Sequence, residues 1–184
     1  MSSRRVVFTD RDGTLNPDFH YLREPERFEF LPGVVRALQL LHEHGHRVVC
    51  VTNQSGVGRG FFSEPQLLAI HRTINERLER SATRVDAFYY CPHLPTDGCR
   101  CRKPGTELFE RAARDLDIDL RSSAIIGDRV MDIEVGSALG MLSVLVPERG
   151  LEERTNAELR ERGIEPDLRA ESFGAAALQI LSLG

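Results

Sequence analysis

Short apolar runs alternate with amphipathic segments along this chain, and the alternation predicts strands separated by helices. The apolar runs cover residues 5–9, 47–51, 85–90, 123–126 and 142–146, and the amphipathic segments cover residues 33–44, 64–80, 106–116 and 131–139. Strands that alternate with helices in this way usually form a parallel sheet with helices on its faces. The pattern therefore predicts an α/β fold with a mainly parallel central sheet.

Local signals support the predicted helix ends and extend the pattern into the tail. Gly45 follows the first amphipathic segment as a C-terminal cap, and Ser63 with Gln66 forms a capping-box sequence before the second. Beyond Pro147, "TNAELRERG" predicts a surface helix and "SFGAAALQILSL" predicts a final packing helix. There is no internal repeat and no low-complexity linker, so residues 1–184 are expected to form one domain.

Polar residues follow four of the predicted strands at their carboxyl ends. The stretches are "VVFTDRDGTLN", "VTNQSGVGRG", "CPHLPTDGCRCRKPG" and "GDRVMD". In open α/β sheets the carboxyl ends of parallel strands meet at one edge, and ligands bind there. We therefore expect the polar side chains of these four stretches to converge on a single active site.

The first of these stretches places two aspartates, Asp10 and Asp12, directly after an apolar strand. Three interpretations compete: a solvated acidic turn, a calcium-binding loop, or a carboxylate nucleophile beside a carboxylic acid/base. The calcium loop fails, because its sixth and twelfth positions hold Leu15 and Tyr21 instead of Gly and Glu. The nucleophile interpretation requires partners elsewhere in the chain.

Composition excludes some classes of function. The net charge of −4 gives no electrostatic footprint for nucleic acid, and no apolar run approaches the roughly 18 residues of a membrane span. The start "MSSRRVVF" lacks a secretory apolar region, so a cytoplasmic protein without a membrane partner is expected. Of the 24 basic residues only Lys103 is a lysine, which suggests that its compact point charge is specifically needed.

Three of the four cysteines lie in one short segment with a histidine. Cys91, His93, Cys99 and Cys101 follow the spacing C-x-H-x5-C-x-C. Three thiolates and one imidazole complete a tetrahedral shell with no open position, so we expect a structural Zn²⁺ in a loop at residues 91–101. Our hypothesis is that this zinc positions Lys103, which lies two residues after Cys101.

The motifs "DRDGT", "VTNQSG", "CRKPG" and "IGDRVMD" resemble, in order and placement, the four motifs of the haloacid dehalogenase (HAD) superfamily of phosphohydrolases. The resemblance extends to about residue 147. Within the superfamily the chain is similar to two zinc-containing groups, the D-glycero-D-manno-heptose-1,7-bisphosphate phosphatases and the histidinol-phosphatases. The resemblance implies a Rossmann-like three-layer sandwich, and the spacing of the motifs leaves no room for a cap domain.

The resemblance also implies roles for the motif residues. Asp10 would be the nucleophile and would form an aspartyl-phosphate, while Asp12 would act as general acid and base. Asp10, Asp128 and the Asp12 backbone carbonyl would hold a catalytic Mg²⁺. Thr52, Asn53 and Lys103 would hold the phosphoryl oxygens. Asp132 is either a partner of this site or a favourable charge at a helix N-terminus.

The predicted substrate is a small phosphorylated metabolite, bound by a monomer. Its candidate contacts are Asp18, Tyr21, Asn53, Gln54, Ser55, Arg59, Arg102 and Arg129. Arg59 and Arg102 could bind a second phosphate, which favours removal of the 7-phosphate of the heptose bisphosphate. The short zinc loop favours histidinol phosphate as the alternative substrate. A catalytically inactive phosphate-binding module is the remote alternative, and it would be expected to have lost residues such as Asp10 or Lys103.

Overall fold

The computed structural model describes residues 6–183, and these residues are organised around one six-stranded sheet. Its strands are β1 Val6–Thr9, β2 Arg47–Asn53, β3 Ala87–Cys91, β4 Ala124–Gly127, β5 Leu142–Leu145 and β6 Leu168–Arg169. The strand order is β3-β2-β1-β4-β5-β6, and neighbouring strands are parallel throughout. The predicted α/β fold is confirmed, although residue 5 of the first predicted strand lies outside the described residues.

Seven α-helices accompany the strands in residues 6–183. They are α1 Val34–Glu43, α2 Ser55–Gly58, α3 Glu64–Glu79, α4 Glu107–Leu116, α5 Val130–Leu139, α6 Glu152–Arg162 and α7 Phe173–Ser182. The four predicted amphipathic helices and both tail helices are confirmed. Helix α2 and strand β6 were not predicted, because four residues and two residues are too short to show a periodicity.

The central strand β1 is buried on both faces. Val7 aligns with Val48 of β2 and with Ala124 of β4, and it packs in a core formed with α1, α3 and α7. The next residue, Phe8, points to the opposite face and meets Phe109 of α4 with 5.2 Å between ring centroids. Successive strand residues alternate faces, so this apolar run fills two separate cores and confirms the three-layer arrangement.

Helical elements connect β1 to β2 and β2 to β3. The chain from β1 to β2 contains a 3-10 turn at Pro25–Arg27 and α1, and the chain from β2 to β3 contains α2 and α3. The capping box is confirmed, because the Ser63 hydroxyl accepts from the Gln66 backbone N–H and the Gln66 side chain accepts from the Ser63 N–H.

None of the helices in residues 6–183 has the length and apolar character needed to cross a membrane.

Candidate active site

The candidate site lies at the carboxyl edge of the sheet. Asp10 directly follows β1, Thr52 and Asn53 are the last residues of β2, and Asp128 directly follows β4. The backbone N–H of Asp10 donates to the Ile126 carbonyl at 3.2 Å, which ties the loop after β1 to β4. The topology therefore brings residues from distant parts of the chain to one edge, as the strand-end pattern predicts.

Lys103 is the positive centre of the site. Its side chain is fully buried, and its Nζ lies 2.7 Å from Asp132 Oδ1 and 3.0 Å from Asp10 Oδ2. Burial by itself lowers the pKa of Lys103, but the charges of Asp10 and Asp132 raise that pKa above the ordinary value. The only lysine of the chain is thus held as an ammonium ion inside the protein.

The two carboxylates that contact this ammonium group cluster with a third. Oxygen atoms of Asp10, Asp128 and Asp132 all lie within 4.8 Å of one another, and all three residues are buried. Burial raises the pKa of Asp128, and the charges of Asp10 and Asp132 raise it further, to about 8. Lys103, together with Arg129 on Asp128, supplies two positive charges against three carboxylates, so these oxygens form a candidate site for a divalent cation.

Two glycines allow the carboxylates to come this close. Gly13 has a φ of +84°, and a Cβ at this position would collide with the Asp128 carboxylate. A Cβ at Gly127 would collide with the Asp132 carboxylate in the same way. The Thr14 hydroxyl donates to Asp128 Oδ1 at 3.1 Å and fixes its orientation. The glycine of the "DGT" stretch therefore provides both the turn and the space for a carboxylate from β4.

Asp132 combines the two roles that the sequence left open. Its Oδ1 accepts from Lys103, while its Oδ2 accepts from the Arg129 backbone N–H at 3.2 Å, at the N-terminus of α5. Asp132 is therefore both a partner of the charged cluster and a favourable negative charge at a helix N-terminus.

The Asp12 carboxylate is surrounded by hydrogen-bond donors. Its Oδ1 accepts from Asn16 Nδ2 at 3.0 Å and from Arg11 Nε and Nη2 at 3.2 and 3.0 Å. Its Oδ2 accepts from Arg11 Nη2 at 2.7 Å and from Gln54 Nε2 at 2.8 Å. Burial would raise the pKa of Asp12, but the Arg11 charge and these hydrogen bonds outweigh burial and lower that pKa.

Arg11 and Asn16 are site residues that the sequence did not reveal. Arg11 lies between the two aspartates. A charged residue in this position predicts a loop residue exposed to solvent. The buried strand directly before Arg11 could have indicated its burial, because a residue so close to a strand end often stays inside the protein. Asn16 carried no separate sequence signal.

Asn53 binds the loop that carries Lys103. Its Nδ2 donates to the Lys103 carbonyl at 3.2 Å, and its Oδ1 accepts from the Lys103 backbone N–H at 3.0 Å. Thr52 lies beside the Asp12 network, because its hydroxyl oxygen accepts from Gln54 Nε2 at 2.9 Å. The end of β2 therefore joins the Lys103 loop to the Asp12 carboxylate.

The cysteine and histidine side chains at residues 91–101 meet in one cluster. The Cys101 Sγ lies 3.2 Å from Cys91 Sγ, 3.5 Å from Cys99 Sγ and 3.1 Å from His93 Nδ1. The thiols are free, since these separations far exceed a disulfide bond of about 2.05 Å. Four such donors in mutual contact fit the tetrahedral shell of a metal ion with thiolate and imidazole ligands.

Arg129 connects three loops around the mouth of the site. Its Nε donates to Asp128 Oδ2 at 2.9 Å, its Nη2 donates to Asp18 Oδ2 at 2.9 Å, and Nη2 also lies 3.5 Å from Glu148 Oε2. A cavity of about 150 Å³ opens beside Asp128 and Arg129. Two of the predicted substrate contacts, Asp18 and Arg129, therefore bind each other.

The other predicted substrate contacts are less closely joined to the site. Tyr21 is partly exposed and packs edge-to-face on Phe61, with 4.8 Å between ring centroids. Ser55 begins α2, and its carbonyl accepts from the Arg59 backbone N–H at 2.9 Å. Within residues 6–183 neither the Arg59 nor the Arg102 side chain has an ion-pair or hydrogen-bond partner, and Arg102 Nη1 is buried. The structure records no contact between these two arginines.

Comparison with known proteins identifies a family model and relatives that resemble this chain. The HAD-hydrolase-like family model matches residues 100–176. A probable D-glycero-D-manno-heptose-1,7-bisphosphate 7-phosphatase from Thermoplasma volcanium is 42% identical over 125 residues, which cover 68% of this chain and 86% of that protein. The D-glycero-beta-D-manno-heptose-1,7-bisphosphate 7-phosphatase from Haemophilus influenzae is 40% identical over 149 residues, which cover 77% and 81%.

A solved structure extends the match to nearly the whole chain. The crystal structure of D,D-heptose 1,7-bisphosphate phosphatase from B. bronchiseptica, complexed with magnesium and phosphate, has a TM-score of 0.87 and 34% identity and covers 98% of this chain and 99% of that chain. The fold, the aspartate and lysine site and these matches define a phosphatase of the HAD-like class. The chain belongs, within that class, to the family of the D-glycero-D-manno-heptose-1,7-bisphosphate 7-phosphatases. The resemblance inferred from the four motifs is confirmed.

Replacing Asp132 by Asn should destabilise the protein, because it leaves the buried Lys103 ammonium with one carboxylate partner instead of two. We expect the free energy of unfolding to fall by about 1–3 kcal/mol, less than the roughly 3–5 kcal/mol of a buried pair that loses its only partner. Urea denaturation measures this difference. Asp115→Asn, which removes an exposed ion pair with Arg111, is the control and should cost no more than about 1 kcal/mol. Equal losses in the two variants would contradict the expectation.

Proposed function

We propose that this chain removes the 7-phosphate of D-glycero-D-manno-heptose 1,7-bisphosphate through an aspartyl-phosphate on Asp10. The observation that carries the chemistry is the placement of the Asp10 carboxylate, which lies 3.0 Å from the buried Lys103 ammonium and within a cluster of two further carboxylates. The substrate assignment is supported by the names of the relatives, which match most of the chain.

The first half of the reaction forms the covalent intermediate. An oxygen of Asp10 attacks phosphorus, the bond from phosphorus to the sugar oxygen breaks, and the departing alkoxide takes a proton from Asp12. Charge spreads over the phosphoryl oxygens in the transition state, and the Lys103 ammonium and the Thr52 hydroxyl would stabilise it. The predicted role of Asn53 would be indirect, because its side chain binds the Lys103 backbone. Burial strengthens this stabilisation, because water does not screen the Lys103 charge.

The second half returns the enzyme to its starting state. Water attacks the phosphorus of the aspartyl-phosphate, the bond to the Asp10 oxygen breaks, and Asp12 takes the proton of the water. The donors around Asp12 favour its carboxylate form, which suits this base role. For the first half Asp12 has to carry a proton, and the negative charge of a bound phosphate favours that protonated form.

We propose that Asp10 and Asp128, with the backbone carbonyl of Asp12, hold the catalytic Mg²⁺. The fit rests on the chemistry of the donors, since buried carboxylate oxygens in excess over positive charge are what Mg²⁺ prefers. When bound, the ion would neutralise the repulsion between a phosphate dianion and the Asp10 carboxylate.

We propose that the cluster of Cys91, His93, Cys99 and Cys101 holds a structural Zn²⁺. The four donors leave no position for water, so the ion would hold the loop in place and take no part in the reaction. Only Arg102 separates the last cysteine from Lys103, and Asn53 fixes the Lys103 backbone from the other side. The ion would therefore help to position the phosphate-binding lysine.

The charged side chains among the predicted substrate contacts favour a bisphosphate over histidinol phosphate. The amine of histidinol phosphate requires a free carboxylate, but Asp18 is paired with Arg129. Arg102, by contrast, has a buried Nη1 that lacks a partner among residues 6–183 and could bind a second phosphate. Arg59 is exposed and could assist.

We also propose that the enzyme acts as a monomer in the cytoplasm. The candidate nucleophile, acid/base, lysine and metal ligands all come from one chain, so the site needs no residue from a second copy. Its substrate is a small phosphorylated metabolite that enters from solvent.

Catalytic efficiency on the heptose bisphosphate should clearly exceed that on histidinol phosphate, because Arg102 and Arg59 offer positive charge for a second phosphate. Steady-state assays of phosphate release on both substrates measure this, and Asp10→Asn, which lacks the nucleophile, controls for contaminating phosphatases. Arg102→Ala should reduce kcat/KM for the bisphosphate much more than for an aryl phosphate. A preference for histidinol phosphate would overturn the substrate and leave the phosphatase chemistry intact.

Removing Mg²⁺ with a chelator should stop turnover reversibly, because the Lys103 charge alone then has to offset the repulsion between Asp10 and a phosphate dianion. Activity measured during titration with Mg²⁺ should return to its initial value. Asp128→Asn, which removes one proposed ligand, should raise the Mg²⁺ concentration for half-maximal activity by at least about tenfold. Full activity of the metal-free enzyme would contradict this site.

The purified protein should contain one zinc per chain, and Cys99→Ser should lose it, because three donors no longer close the shell. Elemental analysis measures the metal, and inhibition by inorganic phosphate measures the affinity of the site. Cys50→Ala is the control, since Cys50 is buried within β2 and should leave zinc unchanged. If Cys99→Ser loses zinc while phosphate binds as before, zinc does not position Lys103.

A further inference from the structure

Arg11 is a charged residue with no exposed surface, and its burial requires an explanation. It is the largest fully buried side chain of the described residues. Within residues 6–183 its guanidinium donates to Asp12 and to Gln54 Oε1, the latter at 3.1 Å, while its Nη1 has no partner. Removing an ion from water costs free energy, so the few hydrogen bonds of the buried Arg11 guanidinium have to offset that cost.

The backbone of the turn does not depend on the Arg11 side chain. The Arg11 carbonyl accepts from the backbone N–H of Leu15 at 2.8 Å and of Asn16 at 3.2 Å, and the Gly13 N–H donates to the Asn16 carbonyl at 2.8 Å. These hydrogen bonds close the turn without the guanidinium. The side chain therefore acts on its two side-chain partners, Asp12 and Gln54.

The contacts of Arg11 fix the plane of the Asp12 carboxylate. Nε and Nη2 form a fork on the two carboxylate oxygens, which restrains rotation about the last side-chain bond. Gln54 closes the arrangement, because its Oε1 accepts from Arg11 and its Nε2 donates to both Asp12 and Thr52. The orientation of Asp12 is thus tied to the end of β2.

We propose that Arg11 is a positioning residue that aims the Asp12 carboxylate, so that one group serves both proton transfers of the reaction. The inference rests on the proposed function, in which Asp12 protonates the leaving oxygen and later deprotonates water. Arg11 itself has no contact with the reacting atoms in this proposal. Without the fork only Asn16 and Gln54 would restrain the carboxylate, and proton transfer requires hydrogen-bond reach of the correct oxygen.

The leaving group separates a positioning role from a merely structural one. A sugar alkoxide needs a proton to depart, whereas 2,4-dinitrophenolate leaves as a stable anion without one. Misplacing Asp12 should therefore slow the first half of the reaction on the sugar phosphate and spare it on the dinitrophenyl phosphate. A general loss of folded structure would slow both.

The experiment compares first-turnover rates of the holoenzyme and of Arg11→Met on the two substrates by rapid mixing. We expect the rate on the sugar bisphosphate to fall by about 10²-fold or more, in the range of general acid catalysis, with the burst of dinitrophenolate nearly unchanged. Arg11→Lys keeps the charge without the fork and should show the same selectivity to a smaller degree. Gln54→Leu keeps Arg11 and removes the hydrogen bonds of Gln54 to Arg11 and Asp12. It should also slow the sugar bisphosphate selectively, and it provides the test if Arg11→Met does not fold.

Arg77→Met is the matched control. Arg77 is half-buried and donates to the carbonyls of Pro25, Glu26 and Phe28, so its loss should lower the melting temperature without changing the ratio of the two rates. Equal losses on both substrates in the Arg11 variants, or no loss on either, would overturn the proposal. Failure of the wild-type enzyme to form a phosphoenzyme would instead reject the proposed function.

Discussion

The ammonium group of Lys103, buried between Asp10 and Asp132, is the interaction on which the site depends. It joins the end of β1, the loop after β3 and the first turn of α5, three parts of the chain that backbone hydrogen bonds do not connect directly. Burial raises the pKa of Asp132, and the Lys103 charge opposes that rise. In the proposed reaction the same group that holds these elements together also stabilises the phosphoryl group.

The surrounding loops restrict the movement of this lysine in two ways. Asn53 binds its backbone through both side-chain polar atoms, and the proposed metal ion in the Cys/His cluster would hold the chain two residues earlier. The ammonium is therefore preorganised, and little conformational entropy remains to be lost when a phosphate binds. A lysine on a free loop would lose more side-chain entropy on ordering, which opposes binding.

Much of this arrangement could be predicted from the sequence, and the rest depends on contacts that no local pattern records. The parallel sheet followed from apolar runs of the right length, and the convergence of Asp10, Lys103 and Asp128 followed from their places at strand ends. Strand β6 was missed because two residues carry no periodicity. Arg11 was missed because burial of an arginine depends on partners such as Gln54, which lies 43 positions away. The pairing of Asp18 with Arg129 spans 111 positions, so no local sequence pattern predicts it either.

The burial of Lys103 also has a consequence for the outer surface of the protein. With 23 arginines and one enclosed lysine, the exposed basic side chains are guanidinium groups apart from histidines. Guanidinium groups keep their charge at any pH the folded protein meets, whereas ammonium groups begin to lose theirs in alkaline solution. Reagents that acylate side-chain amines therefore find no exposed target, and the positive charge of the surface persists in alkaline solution.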